Sequence, residues 1–220
     1  DEQKLLEKNG DLFCSKKRSA ALDNAIKEGF DAVLFDDGLQ DNSINYDLKF
    51  VCFNSDKWIG NGLLLPAGPL REKINSISKY NAVFLNGNSK NNQNIKNQIK
   101  KYNDKAKIFE TYYKISNLNE ISLKEKYLIF SGIGNPSDFK DILLENKFDV
   151  VREIVFPDHY DYNLNDFKKI QSIASDEKLK ILTTEKDFMK IPEQFKKDID
   201  FLAIELVIQD EKKLIELLTK

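Results

Sequence analysis

In Ala32-Val-Leu-Phe-Asp-Asp-Gly-Leu-Gln40, four apolar residues run directly into two adjacent carboxylates and a glycine, which gives the first indication of both fold and site. An unbroken apolar run of this kind is typical of a buried strand in a parallel sheet, so residues 32–35 are predicted to form one. Asp36 and Asp37 then fall at the carboxyl end of that strand, where open α/β sheets bind their ligands. Carboxylates there can hold Mg²⁺, directly or through water, although Asp-Gly after a strand is also an ordinary turn signal.

The surrounding pattern alternates helix and strand. Residues 19–28 fit a helix with Gly29 just past its end, and residues 48–53 and 81–85 read as strands. This alternation is the mark of an α/β fold with a parallel sheet.

The α/β rhythm restarts after a polar stretch with few core anchors. Strands are predicted at 127–130, 150–156, 180–184 and 201–206, with a last helix at 211–218. We therefore predict a first domain over 1–115, a linker over 116–125 and a second α/β domain over 126–220.

Residues 60–72 contain three glycines and two prolines and end on Arg71-Glu72. That content excludes a regular helix and indicates a shaped loop of the kind that positions functional groups. An ordinary surface connection is the alternative, but the apolar centre of the loop is unusual for one.

Two further turns follow strands of the second region. Ser131-Gly-Ile-Gly-Asn-Pro136 could contact a phosphate through backbone N–H groups, or could simply cap the following helix. His159 is the only histidine in the chain and lies beside Asp158 and Asp161, which could orient its ring. A lone histidine is more often structural than catalytic, so both interpretations stay open here.

Composition sets the outer limits. The 220 residues are 41% hydrophobic, which supports a packed core, and the net charge of −2 gives no indication of nucleic-acid binding. No apolar run approaches the roughly 20 residues of a membrane span. Cys14 and Cys52 lack metal-ligand spacing and have apolar neighbours, so we expect two buried, reduced thiols.

Several stretches together resemble one family. The resemblance is carried by Asp36-Asp-Gly-Leu-Gln40, by Gly60-Asn-Gly with Leu65-Pro-Ala-Gly-Pro-Leu-Arg-Glu72, by Gly132-Ile-Gly-Asn-Pro136, by Phe156-Pro-Asp-His159 and by Thr183-Thr-Glu-Lys-Asp187. In this order and with similar spacing they resemble the tetraacyldisaccharide 4′-kinases, the lipid A 4′-kinases of Gram-negative bacteria. The resemblance spans nearly the whole chain, and its longest run is highly specific.

The resemblance implies a fold and an activity. The fold is a P-loop kinase-like parallel sheet, here without its N-terminal part, joined by a hinge to a second, smaller α/β domain. The activity is transfer of the γ-phosphate of ATP to the 4′-hydroxyl of a tetraacylated glucosamine disaccharide 1-phosphate, with Mg²⁺. The implied partners are ATP, the acylated lipid and, peripherally, the cytoplasmic face of the bacterial inner membrane.

The resemblance also assigns residues. Asp36 and Glu72 are implied as metal ligands, Asp37 and Arg71 as contacts to the nucleotide and its metal, and His159 as a catalytic residue. Asp1 matches the catalytic aspartate of the family's Gly-Asp-Glu-Pro stretch, although Gln3 replaces the proline.

One family feature is absent from the sequence. No Gly-x-x-x-x-Gly-Lys-Ser/Thr run occurs, and in the family this phosphate loop lies upstream of the Gly-Asp-Glu-Pro stretch, so before residue 1. Two rival hypotheses therefore remain, a non-enzymatic binding or regulatory module that keeps the kinase fold, and a different α/β phosphotransferase.

Overall fold

The structure, a computed structural model, describes residue 7, residues 10–87 and residues 91–219. These form the helices α1 (Arg18–Lys27), α2 (Asn92–Tyr102), α3 (Pro136–Glu145), α4 (Leu164–Glu177), α5 (Glu185–Phe188), α6 (Glu193–Lys196) and α7 (Glu211–Leu218). They also form the strands β1 (Phe50–Asn54), β2 (Ala82–Asn86), β3 (Lys107–Ile115), β4 (Lys126–Ser131), β5 (Asp149–Val155), β6 (Lys180–Thr184), β7 (Ile199–Leu202) and β8 (Ile204–Ile208). Within this described part, no helix combines the length and the apolar character that crossing a membrane requires.

The chain divides into two compact units, and the first comprises Phe13–Lys114 together with the residues from Leu206 onward. Its sheet has the order β1-β2-β3-β8, and β2 pairs in parallel with both β1 and β3. Helix α2 connects β2 to β3, as a crossover between neighbouring parallel strands requires. One face of this sheet packs into a core of Ile77, Val83, Leu85, Ile95 and Ile99.

Helix α1 confirms its prediction to within one residue at each end. The helix ends at Lys27, and the chain turns away at Gly29. Gly29 has φ +87°, a conformation that residues with a side chain rarely adopt. The Phe30 N–H then donates to the Ala25 carbonyl at 3.1 Å, closing the C-terminal turn.

The predicted strand at residues 32–35 is wrong. These residues adopt no regular structure, and the side chains of Val33 and Leu34 are exposed, the latter by 89%. A strand forms only where its backbone groups bond to a neighbour, and in the described part of the chain no strand pairs with this segment. The apolar run reflected a preference for burial, which is not sufficient to specify a pairing partner.

The second unit contains Ile115–Glu205 and a fully parallel sheet with the order β5-β4-β6-β7. Side chains alternate along its central strand β4, so each face of the sheet has its own core. One core consists of Ile115, Ile121, Tyr127, Ile129, Phe139, Leu143, Phe148, Leu182 and Leu202. The opposite core consists of Leu128, Phe130, Phe167, Ile170, Ala174, Ile181, Ile191, Phe195 and Ile199.

Residues 116–125, predicted as a linker, are fixed to the second unit. The Asn117 amide donates to the Phe201 carbonyl at 2.8 Å and accepts the Ala203 N–H at 2.9 Å, while Ile121 is buried in the core. The strand predicted at 201–206 is instead two strands, β7 and β8, which are separated by Ala203. The second of them, β8, joins the first sheet, so the final residues do not belong to the second domain as predicted.

Both cysteines are exposed, which corrects the expectation of buried thiols. Cys52 lies on β1, where its neighbours Val51 and Phe53 pack against the core. Successive side chains of a strand point to opposite faces, so Cys52 faces away from that core. Apolar neighbours in sequence therefore indicated the wrong side of the strand.

Candidate active site

The turn after residue 35 holds the first two predicted site residues. It is tightly packed at Gly38, where an added Cβ would lie 2.9 Å from the Phe35 Cβ and 3.0 Å from the Tyr46 hydroxyl oxygen. The same hydroxyl donates to the Gly38 carbonyl at 2.8 Å. This packing fixes the backbone that carries Asp36 and Asp37.

Two arginines hold Asp37, whose φ is +50°. The Arg71 guanidinium donates from Nη1 to Asp37 Oδ1 at 2.5 Å, and Arg18 donates from Nη2 to the Asp37 carbonyl at 2.9 Å. The hydrogen bond from Arg71 is the main reason that the pKa of Asp37 is lowered, and Asp37 in turn raises the pKa of Arg71. The structure therefore brings together two predicted nucleotide-site residues as an ion pair.

Asp36 differs from its neighbour because its carboxylate is not engaged. Among the described residues, none makes a hydrogen bond or ion pair with this exposed side chain. The carboxylate oxygens of Asp36 are thus available for a ligand.

Glu72 is half-buried and accepts one hydrogen bond. The Tyr80 hydroxyl donates to Glu72 Oε2 at 3.1 Å, and burial, with the neighbouring charge of Glu72, raises the pKa of Tyr80 to about 12. Tyr80 therefore stays protonated and keeps this carboxylate oriented.

These acids fit a hydrated magnesium ion rather than a protein-enclosed metal. Over the described ranges, no three or more His, Cys, Asp or Glu side chains are grouped so that they could enclose a metal. Mg²⁺ usually keeps several waters and takes only one or two carboxylates plus substrate phosphates. Asp36, with both oxygens available, and Glu72 suit that role, and their assignment as ligands stays a prediction.

The loop over residues 60–72 is specified by its own hydrogen bonds. Asn61 donates to the Ala67 carbonyl at 2.8 Å. The Leu65 N–H donates to the Leu70 carbonyl at 2.8 Å, and the Leu70 N–H donates to the Leu63 carbonyl at 3.2 Å. A Cβ on Gly68 would lie 2.2 Å from Asn61 Oδ1 and 2.4 Å from the Leu63 carbonyl, so only glycine fits. The loop thus delivers Arg71 to a defined place, as its composition predicted.

His159 lies in the second unit, in a turn after β5. Its φ is +57°, and its backbone N–H donates to the Gly132 carbonyl at 3.2 Å and to Asp158 Oδ1 at 3.0 Å. The ring is 60% exposed, with Nε2 3.8 Å from Asp158 Oδ2. Asp158, one of the two predicted orienting acids, is therefore the one that contacts the ring.

The glycine-rich turn over residues 131–136, before α3, is poorly suited to binding an anion. The Asp158 carboxylate would lie 3.1 Å from a Cβ on Gly134, which places negative charge against that backbone. The Asn135 side chain does not cap the backbone N–H groups of the helix, which begins with Pro136, and it accepts the Ser137 hydroxyl at 3.2 Å instead. The phosphate interpretation of this turn is disfavoured by that charge.

The sequence patterns assigned no site role to three residues that the structure places in these sites: Arg18, Tyr80 and the fully buried Asp187. One signal was present, because the sequence has only three arginines among 34 basic residues. All three bind oxygen atoms, and Arg152 donates to the Glu177 carboxylate from both Nε and Nη2. A planar fork suits such geometry where lysine does not. Asp1 lies outside the described residues.

Comparisons with known proteins point in one direction. A family model described as tetraacyldisaccharide-1-P 4'-kinase matches residues 1–220. A relative from Pelagibacter ubique (strain HTCC1062), named tetraacyldisaccharide 4'-kinase, is 48% identical over 220 residues, covering all of this chain and 70% of its own length. A relative of the same name from Rickettsia akari (strain Hartford) is 32% identical over 223 residues, covering 100% of this chain and 66% of its own.

A solved structure agrees on the fold. The crystal structure of the apo form of LpxK from Aquifex aeolicus in complex with ATP matches with a TM-score of 0.56 at 24% identity. The match covers 83% of this chain and 55% of that one, so the chain spans about half the length of the solved protein. The predicted P-loop kinase-like α/β fold is confirmed. On the family model and the Pelagibacter relative together, the chain belongs to the tetraacyldisaccharide-1-P 4'-kinase family.

Proposed function

We propose that the protein transfers the γ-phosphate of ATP to the 4′-hydroxyl of a tetraacylated glucosamine disaccharide 1-phosphate. The proposal rests on the different environments of the two adjacent carboxylates at residues 36 and 37. Asp37 is neutralised by Arg71, while the adjacent Asp36 keeps its carboxylate available. Phosphoryl transfer depends on positioning and charge neutralisation, which are the roles these groups can fill.

The groups of the first unit act on the nucleotide. Asp36 and Glu72 would hold Mg²⁺, which when bound offsets the negative charge of the phosphates. Arg71 has N–H donors beyond the one that binds Asp37, and these suit phosphate oxygens. Asp37 serves to fix the guanidinium, so its own charge is satisfied before the nucleotide arrives.

His159 is proposed to act at the sugar hydroxyl, which must lose a proton as it attacks phosphorus. An exposed imidazole held in a defined turn is a suitable group for proton transfer with a bound substrate. Asp1 is proposed as the partner base, on the family pattern alone.

The lipid substrate and its location complete the proposal. A tetraacylated disaccharide resides in a bilayer, so we propose peripheral binding at the cytoplasmic face of the inner membrane. Sedimentation of the full-length protein with vesicles containing the lipid, compared with vesicles lacking it, tests this step. Equal recovery in the supernatant with both vesicles would contradict it.

Asp36→Asn in the full-length protein tests the metal role. We expect turnover at saturating ATP and Mg²⁺ to fall about a hundredfold or more, because removal of a charge-stabilising group costs on that order. Asp23→Asn, an exposed carboxylate on α1, is the matched control and should keep full turnover. Near-normal turnover of Asp36→Asn would show that Asp36 and Asp37 only form a turn, and it would favour the hypothesis of a non-enzymatic binding module.

His159→Asn tests the proposed catalytic histidine without straining the turn, since asparagine tolerates positive φ. We expect turnover to fall by about two orders of magnitude while the affinity for ATP changes little, because the ring acts on the transition state. Turnover and nucleotide affinity are measured separately. Loss of stability alone, with normal turnover of the folded protein, would make His159 structural.

We further propose that these 220 residues alone do not catalyse the transfer. ATP phosphates require a cradle of backbone N–H groups with a lysine, and the sequence contains no run that matches it. Phosphate transfer by the 220-residue protein, measured beside the full-length protein, tests this. Comparable rates would overturn it.

A further inference from the structure

The buried carboxylate of Asp187 is bonded to the backbone that carries His159. Asp187 is completely buried, and its Oδ2 accepts the Gly132 N–H at 3.0 Å and the Thr184 hydroxyl at 2.8 Å. The carbonyl of Gly132 accepts the His159 N–H at 3.2 Å. One residue, Gly132, therefore connects the carboxylate to the histidine turn.

A second connection runs through Lys190. Its Nζ lies 3.9 Å from Asp187 Oδ1 and donates to the Tyr160 carbonyl at 3.3 Å, one residue after His159. The Lys190 side chain is only 8% exposed, so this pair is shielded from water. The histidine turn is thus held on both sides by groups that depend on Asp187.

The space around Gly132 leaves little freedom for these bonds to shift. A Cβ there would lie 2.9 Å from the Tyr162 hydroxyl oxygen, 3.3 Å from the Pro157 carbonyl and 3.4 Å from Asp187 Oδ1. Burial of Tyr162, and after it the charge of Asp187, raises the pKa of that phenol, so it stays protonated beside the carboxylate. The backbone at Gly132 is therefore tightly enclosed by Tyr162, Pro157 and Asp187.

A purely structural role explains less of this arrangement. Asp187 does belong to the cap of α5, where its N–H donates to Thr184 Oγ1. A helix of four residues does not need a buried charge for its cap, and burying a charge is costly unless it is paired. Lys190 and Gly132, the two groups that contact the Asp187 carboxylate, are instead each hydrogen-bonded to the turn that carries His159.

We propose that Asp187 is a positioning residue that fixes the His159 ring for proton transfer, acting through Gly132 and Lys190. This rests on the catalytic role proposed for His159. Misplacing a reacting group by a small distance lowers the rate without weakening substrate binding, so the effect belongs in turnover.

The test uses Asp187→Asn in the full-length protein, alone and combined with His159→Asn. We expect Asp187→Asn to lower kcat about 10- to 100-fold with little change in KM for ATP, as loss of an orienting group commonly does. In the His159→Asn background it should cause no further loss. Glu177→Gln, which removes a surface carboxylate of the same unit, should leave kcat unchanged.

A spectroscopic measurement separates positioning from stability. The imidazole ¹³C–¹H signal of His159, assigned by its disappearance in His159→Asn, should shift or broaden in Asp187→Asn. If Asp187→Asn does not fold, Lys190→Met replaces it, since that change removes the contacts of Lys190 with Asp187 and Tyr160 but leaves the bond from the Gly132 N–H to Asp187 in place. The same non-additive loss of kcat with His159→Asn is then expected.

The outcomes are distinguishable. If His159→Asn keeps full turnover, the proposed function of the histidine fails and the positioning role falls with it. If His159→Asn loses turnover while Asp187→Asn or Lys190→Met does not, only the positioning role is overturned. Equal further loss in the His159→Asn background would also overturn it, because Asp187 would then act independently of His159.

Discussion

The Arg71 guanidinium governs the ionisation of Asp37, and this gives a prediction for a single side chain. Removing it in Arg71→Met should bring the pKa of Asp37 up toward its usual 3.8, because the hydrogen bond from Arg71 is the main cause of the lowered value. A ¹³C carboxyl titration by NMR measures this. Arg152→Met, which removes the partner of Glu177, is the control and should leave Asp37 unchanged.

The direction of the pH effect follows from the sign of the shift. A carboxyl whose folded pKa lies below its unfolded value stabilises the protein above the unfolded pKa and loses that contribution as pH falls through the folded one. For Asp37 this window lies below about pH 4. The pair is more than half exposed, so solvent screening keeps its contribution to stability small. The main effect of the Asp37–Arg71 ion pair is therefore to position the Arg71 guanidinium.

The loop over residues 60–72 depends on glycine at one point, which gives a prediction for that segment. Gly68→Ala should lower the free energy of unfolding by about 1–3 kcal/mol, because a Cβ would overlap the Leu63 carbonyl and Asn61. Gly10→Ala is the matched control, since nothing lies within 4 Å of a Cβ there. Denaturant unfolding followed by fluorescence compares the two variants.

The same substitution should also reach the site. Because Arg71 lies three residues after Gly68 in the same loop, a shift at Gly68 should displace the guanidinium, and we expect the pKa of Asp37 to rise in Gly68→Ala as well. An unchanged Asp37 titration in a destabilised variant would show that the loop stabilises the fold without positioning Arg71.

The last strand, β8, belongs to the sheet of the first unit, and this predicts how truncation acts. Deleting the residues after Glu205 removes most of β8, the neighbour of β3 in the sheet order, so amides of β3 should exchange faster. Amides of β4 in the other sheet should keep their protection. Hydrogen exchange read by mass spectrometry resolves both strands.

A shorter deletion provides the control for that experiment. Removing only the residues after Asp210 deletes α7 but leaves the bond from the Gln209 N–H to the Glu110 carbonyl. Protection of β3 should then persist. Equal loss in both deletions would mean that α7, and not strand pairing, stabilises β3.

Local sequence determined much of the secondary structure. Helical apolar periodicity located α1, and short apolar runs located β2, β4 and β6, each within a residue or two, because such patterns record which parts of a segment are buried. Motif order determined the family, since residues such as Leu65-Pro-Ala-Gly-Pro-Leu-Arg-Glu72 meet local backbone requirements that few other residues satisfy. Gly68 shows this directly, because the loop closes onto its Cα.

Tertiary structure alone decided the partners. Residues 32–35 had the composition of a strand, yet no strand in the described ranges pairs with them, whereas β8 pairs within the first sheet. Asp37 and Arg71 meet across 34 positions, and Asp187 meets Gly132 across 55. Such contacts depend on how separate segments pack, and no local pattern encodes that. A sequence window reports a segment's preference for burial and conformation, while the free energy of pairing belongs to both partners at once.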